Sequence, residues 1–277
     1  MNMKNDNIKK LHIMKQAFTL VGLLGLMGLF SGCEEYRCIK GDDNLKIETR
    51  RLENPVNRIF LESNYDIYVT QDTVLKLTVE ADENLMPYIV TDVIEDDLYL
   101  TTANDRCVRS RNDIRVNLST PDLTKVHLEG SGDIIINELV TTENVEFKNT
   151  GSGRIRCYYL FSNDLIVDIL GSGDIIMDEI DVIDLDILNG GSGDFEVINE
   201  SSGDFGVFVV DGSGDILADY VRLDELDVDI SGSGDITCWV ERLLYGEITG
   251  SGNVYYRSLP LRDIRIDLRG SGNVLPL

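Results

Sequence analysis

Along most of this chain, apolar residues recur at every second position in short runs. Leu165, Val167 and Ile169 fall on one parity with Asp168 on the other. Leu226-Val228-Ile230 alternate with Asp227 and Asp229, and Ile264-Ile266-Leu268 with Arg265 and Asp267. Period-2 alternation marks a strand with one buried face. A Gly-Ser-Gly triplet follows each of these runs. It begins at Gly130, Gly151, Gly171, Gly191, Gly212, Gly232, Gly250 and Gly270, in steps of 21, 20, 20, 21, 20, 18 and 20 residues. Beyond the triplet the alternation resumes, with Ile134, Ile155, Ile175, Phe195, Ile216, Ile236, Val254 and Val274 at one fixed offset. Two residues further lie Ile136, Cys157, Met177, Val197, Ala218, Cys238, Tyr256 and Pro276, while the residue between varies freely. A partial copy, Ser202-Gly203-Asp204, interrupts the fourth step.

Each repeat therefore reads as a strand, a Gly-Ser-Gly corner, a second strand and a return loop. A unit of about 20 residues cannot bury its own apolar face, but stacked coils roughly 4.8 Å apart share a core. The pattern predicts an all-β fold, a right-handed parallel β-helix by the handedness rule for parallel crossovers. An antiparallel sandwich with regular turns is the alternative, and the near-constant register favours the solenoid. Residues 45–118 lack the motif. There Arg58–Leu61, 67–69, 74–79 and 98–101 alternate as strands, 83–88 reads as a helical or turn segment, and 104–112 as a polar loop. This region, 57–118, caps or begins the solenoid of residues 119–277. At the far end, Pro276 lacks an amide donor and blunts the last edge strand.

Composition narrows the partners. Aromatics are 7% of the 277 residues against 43% apolar, so the core is built of Ile, Leu and Val, which suits strands. Removing residues 1–32 leaves 21 basic against 48 acidic side chains, a net charge of −27. A surface that acidic repels nucleic acid and anionic headgroups. It serves solubility at an exposed surface, with a cationic ligand as the sharper alternative.

The first residues form an address. A basic stretch precedes the uncharged run 17–30, which is too short to span a bilayer comfortably and right for a signal-peptide core. Leu29-Phe30-Ser31-Gly32-Cys33 resembles the lipobox of bacterial lipoproteins, with Phe30 in the place usually held by Leu. That resemblance implies cleavage before Cys33, acylation of that cysteine and a lipid anchor in a membrane. A plain secretory signal with an incidental cysteine is the alternative. Glu34 and Glu35 resemble the acidic tag of surface-exported lipoproteins in Bacteroidetes, and residues 33–56 read as an acidic tether. Cys38, Cys107, Cys157 and Cys238 show no zinc-type spacing. Cys38 and Cys107 are candidates for a disulfide in an oxidising compartment. Cys157 and Cys238 share a phase four coils apart, about 19 Å, too far for a disulfide, and read as small buried hydrophobes.

The eight motifs, Gly130-Ser131-Gly132-Asp133 and its successors, lie behind a lipobox and a strand-rich lead-in. Together they resemble the "putative autotransporter adhesin, head GIN domain" family of Bacteroidetes over about residues 57–277. Arg154, where Asp is usual, is the one departure in type. The resemblance implies a β-helical extracytoplasmic lipoprotein of the cell envelope, adhesin-like, with no catalytic residues to transfer.

The sharpest candidate site is the acidic ladder Asp133, Asp174, Asp194, Asp215 and Asp235. Stacked carboxylates could coordinate calcium. The structural reading is a turn in which glycine supplies positive φ and Asp or Asn bonds nearby amides. Asn253 and Asn273 continue the ladder without charge and Arg154 interrupts it, both favouring the turn. His127 falls on an outward phase and reads as solvated. The alternative function is a carbohydrate-active β-helix enzyme resembling polysaccharide lyases. It would need basic residues beside carboxylates, and Arg106, Arg109 and Arg111 are the only such cluster. Outward Ile135, Ile176, Leu217 and Tyr255 on one phase, and Ile166 and Val207 on another, suggest a face for a protein or glycan ligand or for self-association. A non-catalytic binding or structural module is the expected function.

Overall fold

Ile175, Met177 and Ile180 show how one coil turns. All three are buried, and the spacing lengthens from two residues to three between Met177 and Ile180. The strand Ile175–Asp181 therefore bends at 178–179 and presents two flat segments. With the strand Asp164–Ile169 before the Gly-Ser-Gly corner, each coil has three faces. No return loop is needed, because the chain turns at 182–183 and enters the next coil at Asp184–Asn189.

The computed structural model describes residues 38–257 and 263–277. The signal segment 1–32 and Cys33 lie outside the described residues. Residues 39–277 form one unit, a β-solenoid of about 7 turns with stacked parallel coils of about 20 residues. On the first face Val145–Asn149, Asp164–Ile169, Asp184–Asn189 and Phe205–Val210 stack in register, Phe147 on Val167 on Ile187 on Phe208. On the second, Ile155, Ile175, Phe195, Ile216, Ile236, Val254 and Val274 form a single column. Inward residues of both faces are almost fully buried until the last coil.

The lead-in region is wound out of order. Arg58–Leu61 and Asp66–Gln71 make one coil, yet Asp97–Thr102 and Arg115–Thr120 stack on one side of it and the first Gly-Ser-Gly coil on the other. Lys76–Asp82 and Ile89–Ile94 add antiparallel to that end. Leu45–Arg50, within the stretch read as a tether, pairs antiparallel with Lys76–Asp82. That stretch is therefore partly strand, because Ile47 and Thr49 meet an open sheet edge. The polar loop 104–112 holds a short strand, Val108–Arg109, paired with Ile39–Lys40.

Candidate functional site

The corner glycines come first, because they set how closely coils approach. A Cβ on Gly193 would sit 2.1 Å from Gly173 O, and one on Gly214 2.0 Å from Gly193 O; the same holds down both columns of glycines. None of these corner glycines has positive φ; Gly246 alone among the described glycines does. The expected left-handed corner is thus corrected. Glycine is required because the backbone of one corner lies against the carbonyl of the next.

The acidic ladder reads the same way. Asp194 N–H donates to Asp174 Oδ1 at 3.0 Å, Asp215 N–H to Asp194 at 2.8 Å, Asp235 N–H to Asp215 at 2.7 Å and Asn253 N–H to Asp235 at 2.7 Å. Asp133 accepts from Arg154 N–H at 2.8 Å and itself donates to Asp66, a first member that the motif did not reveal. Each side chain bonds the next coil, not its own turn. Arg154 offers no acceptor, so the series restarts at Asp174. Among the described residues no group of three or more His, Cys, Asp or Glu side chains could hold a metal ion. Two interior amides reinforce corners. Asn149 and Asn189, where other coils carry Ile, Val or Leu, donate to Gly153 O and Gly193 O at 2.8 and 2.9 Å.

The other sequence candidates scatter. His127 points outward, but its side chain is only 13% exposed, edge-on to Phe60 and 3.2 Å from Thr150 Oγ1. Burial pulls its pKa down, Glu129 pushes it up, and Lys148 and Lys125 lower it further. Arg111 pairs with Asp43 at 3.2 Å, while Arg106 and Arg109 are exposed. Arg109 borders a hollow of about 260 Å³ with Asp66 and Asp113. There Asp113 is held by Arg115 at 3.0 Å, and Asp66 by the ladder. Cys157 and Cys238 are buried free thiols, and burial pushes Cys157 up to about 12. Ile135, Ile176, Leu217 and Tyr255 are half-buried and separated in their column by Arg156, Glu196 and Thr237. Ile166 and Val207 are exposed but separated by Asp186. Neither set makes a continuous apolar patch.

The third face does make a concavity. A trough of about 290 Å³ runs across five successive coils, from Tyr159 past Glu179 and Asp181, Ser201 and Ser202, and Arg222 to Trp239. Its cause is local. Ser201 stands where the coils on either side carry Ile180 and Val221, so the wall is recessed there. Gly203 follows, with Leu223 and Val182 packed against the space a side chain would need. The partial copy Ser202-Gly203-Asp204 is therefore not another corner, and its Ser202 lines the trough. The 18-residue coil sets Trp239 beside Arg222, immediately after the second-face residue Cys238. Arg257 lies over the indole, 4.8 Å from its centroid. Ser202 Oγ donates to Asp181 Oδ1 at 2.8 Å.

Residues 56–260 match the family described as "Putative auto-transporter adhesin, head GIN domain". The chain belongs to this family. A "putative adhesin" from Parabacteroides distasonis has the same fold, with a TM-score of 0.79 at 20% identity, over 86% of this chain and 99% of that one. A "putative lipid binding protein" from the same species gives 0.75 at 25% identity over 86% and 99%. A "putative adhesin" from Bacteroides fragilis gives 0.63 at 21% identity over 86% and 100%. No curated protein matches the chain. The head GIN family and these neighbours are named adhesins and a lipid-binding protein, not enzymes. An extracytoplasmic, envelope-associated protein is the setting the family suggests.

Proposed function

We propose that this head GIN domain protein is a lipid-anchored, non-catalytic binding module of the outer membrane, and that its third face takes a neutral glycan strand. The trough carries the reading. It is elongated along the coil axis, about 19 Å over five coils at a strand spacing of about 4.8 Å. It combines an aromatic ring with hydroxyls and carboxylates, groups suited to a sugar's apolar face and hydroxyls. Glu179, Asp181 and Glu200 outnumber Arg222, which disfavours the acidic polymers that polysaccharide lyases cleave. A glycan array with the chain and its Trp239→Ala variant tests this. Binding to neutral glycans, lost at least ten-fold in the variant, is expected; binding indifferent to Trp239, or unsaturated products from an acidic polysaccharide, would overturn it.

The anchor and the disulfide rest on the N-terminal segment. Cys33 is the acylated residue by its lipobox context. Cys38 is read as bonded to Cys107, since the residues after them, Ile39 and Val108, are register partners. Mass spectrometry of the chain from membranes tests both. The expected spectrum has an acylated N-terminus at Cys33 and a peptide of residue 38 linked to one of 107. A mature chain starting elsewhere, or the two thiols unlinked, would refute the corresponding assignment.

A further inference from the structure

Every Gly-Ser-Gly coil but the last is covered by the next. Leu226, Val228 and Ile230 are fully buried on the first face, whereas their counterparts two coils on, Ile264 and Leu268, are 40% and 52% exposed. The strand Asp263–Leu268 pairs with Ile236–Ile248, and among the described residues no strand pairs with its other edge. Arg269 N–H donates back to Ile248 O at 2.9 Å. Alternation along the strand then aims the amides and carbonyls of Ile264, Ile266 and Leu268 at the open edge. At the opposite end the sheet continues in antiparallel strands, so a head-to-tail stack would not set coil against coil.

The outward side chains say what closes this edge. Asp263, Arg265, Asp267 and Arg269 alternate in sign about Ile266. Laid antiparallel on a second copy with Ile266 opposite Ile266, the strand sets Asp263 opposite Arg269 and Arg265 opposite Asp267. Ile264 then faces Leu268 across the core. Sliding one strand by two residues puts Arg265 on Arg265 or Asp267 on Asp267, and a slip of one turns the apolar side outward. Charges of a single sign would deter pairing at an edge; this series complements itself in that register. The present ion pairs of Arg265 with Asp263 and of Arg269 with Asp267 lie along the exposed strand and are weak enough to exchange.

We propose that two copies of this chain pair antiparallel through Asp263–Leu268, across a twofold axis at Ile266, so that each closes the open end of the other's solenoid. Such an interface is isologous and ends at the dimer. It is independent of the trough, which lies on another face.

Sedimentation velocity of the chain, with Arg265→Asp and Asp267→Arg made singly and together, tests the pairing. The unsubstituted chain is expected to sediment as a dimer at concentrations up to about 100 µM. Either single variant places like charges across the axis and is expected to weaken the dimer at least ten-fold. Mixing the two single variants restores it, since two acids then face two bases, and the double variant dimerises alone. Both positions are exposed, and unchanged melting temperatures confirm that each variant is folded. A chain monomeric throughout, or a dimer indifferent to the single substitutions, would overturn the proposal.

Discussion

Asp215 holds the Asp235 amide through one carboxylate oxygen, and Asn253 holds that of Asn273 with no charge at all. The position thus requires an acceptor, not an anion. Asp215→Asn is expected to change the unfolding free energy by under ~0.5 kcal/mol, and Asp215→Ala to lower it by about 1–3 kcal/mol by stranding an amide. Urea denaturation reads both, with chelator present and absent. An Asn variant as damaged as the Ala variant, or a chelator effect on the parent chain, would show that charge or a bound cation matters. Sequence alone grouped these residues as a ladder and assigned the bond to the local turn. The reason is that an acceptor one coil away, 20 residues distant, leaves the same signature as one two residues away.

At the scale of the strand, alternation located the first and second faces because an unbroken period of two leaves no other arrangement. The third face escaped it. After the bend at 178–179 the inward residue comes at the third position, so the same parity count points outward at Ile180. The trough was hidden with it, although the off-phase Ser202-Gly203-Asp204 was its trace in the sequence. The first-face strands also crowd acids. Burial chiefly, and then neighbouring carboxylates, raise Asp186 through Asp184 and Asp164, Asp227 through Asp229, and Asp229 through Glu247 and Asp211. A carboxyl raised in the fold favours the folded state below its unfolded pKa near 4 and loses that advantage as pH rises through the folded value. The double variant Asp227→Asn/Asp229→Asn is therefore expected to melt higher than the parent at pH 7, with the gap closing by about pH 4. His127, lowered in the fold, acts with the opposite sign below about 6.5, but equally in both chains. A gap that persists undiminished in acid would contradict the assignment.

Over the whole molecule, the repeat fixed the architecture and the lead-in did not. Eight motifs at one period can stack in only one simple way, whereas residues 57–118 insert a coil between two others, a topology that no local pattern encodes. Stability in such a stack is close to a sum over neighbouring coils, and among the Gly-Ser-Gly coils each of those interfaces passes through the glycine corners. Gly193 lies midway along the column, its missing side chain leaving room for the Gly173 carbonyl. The most direct measurement is equilibrium denaturation of Gly193→Ala beside Ser192→Ala, one residue away and exposed. In-register stacking predicts a loss of about 3 kcal/mol or more for the first and under ~0.5 kcal/mol for the second. Equal stability of the two variants would mean that the corners do not lie against one another.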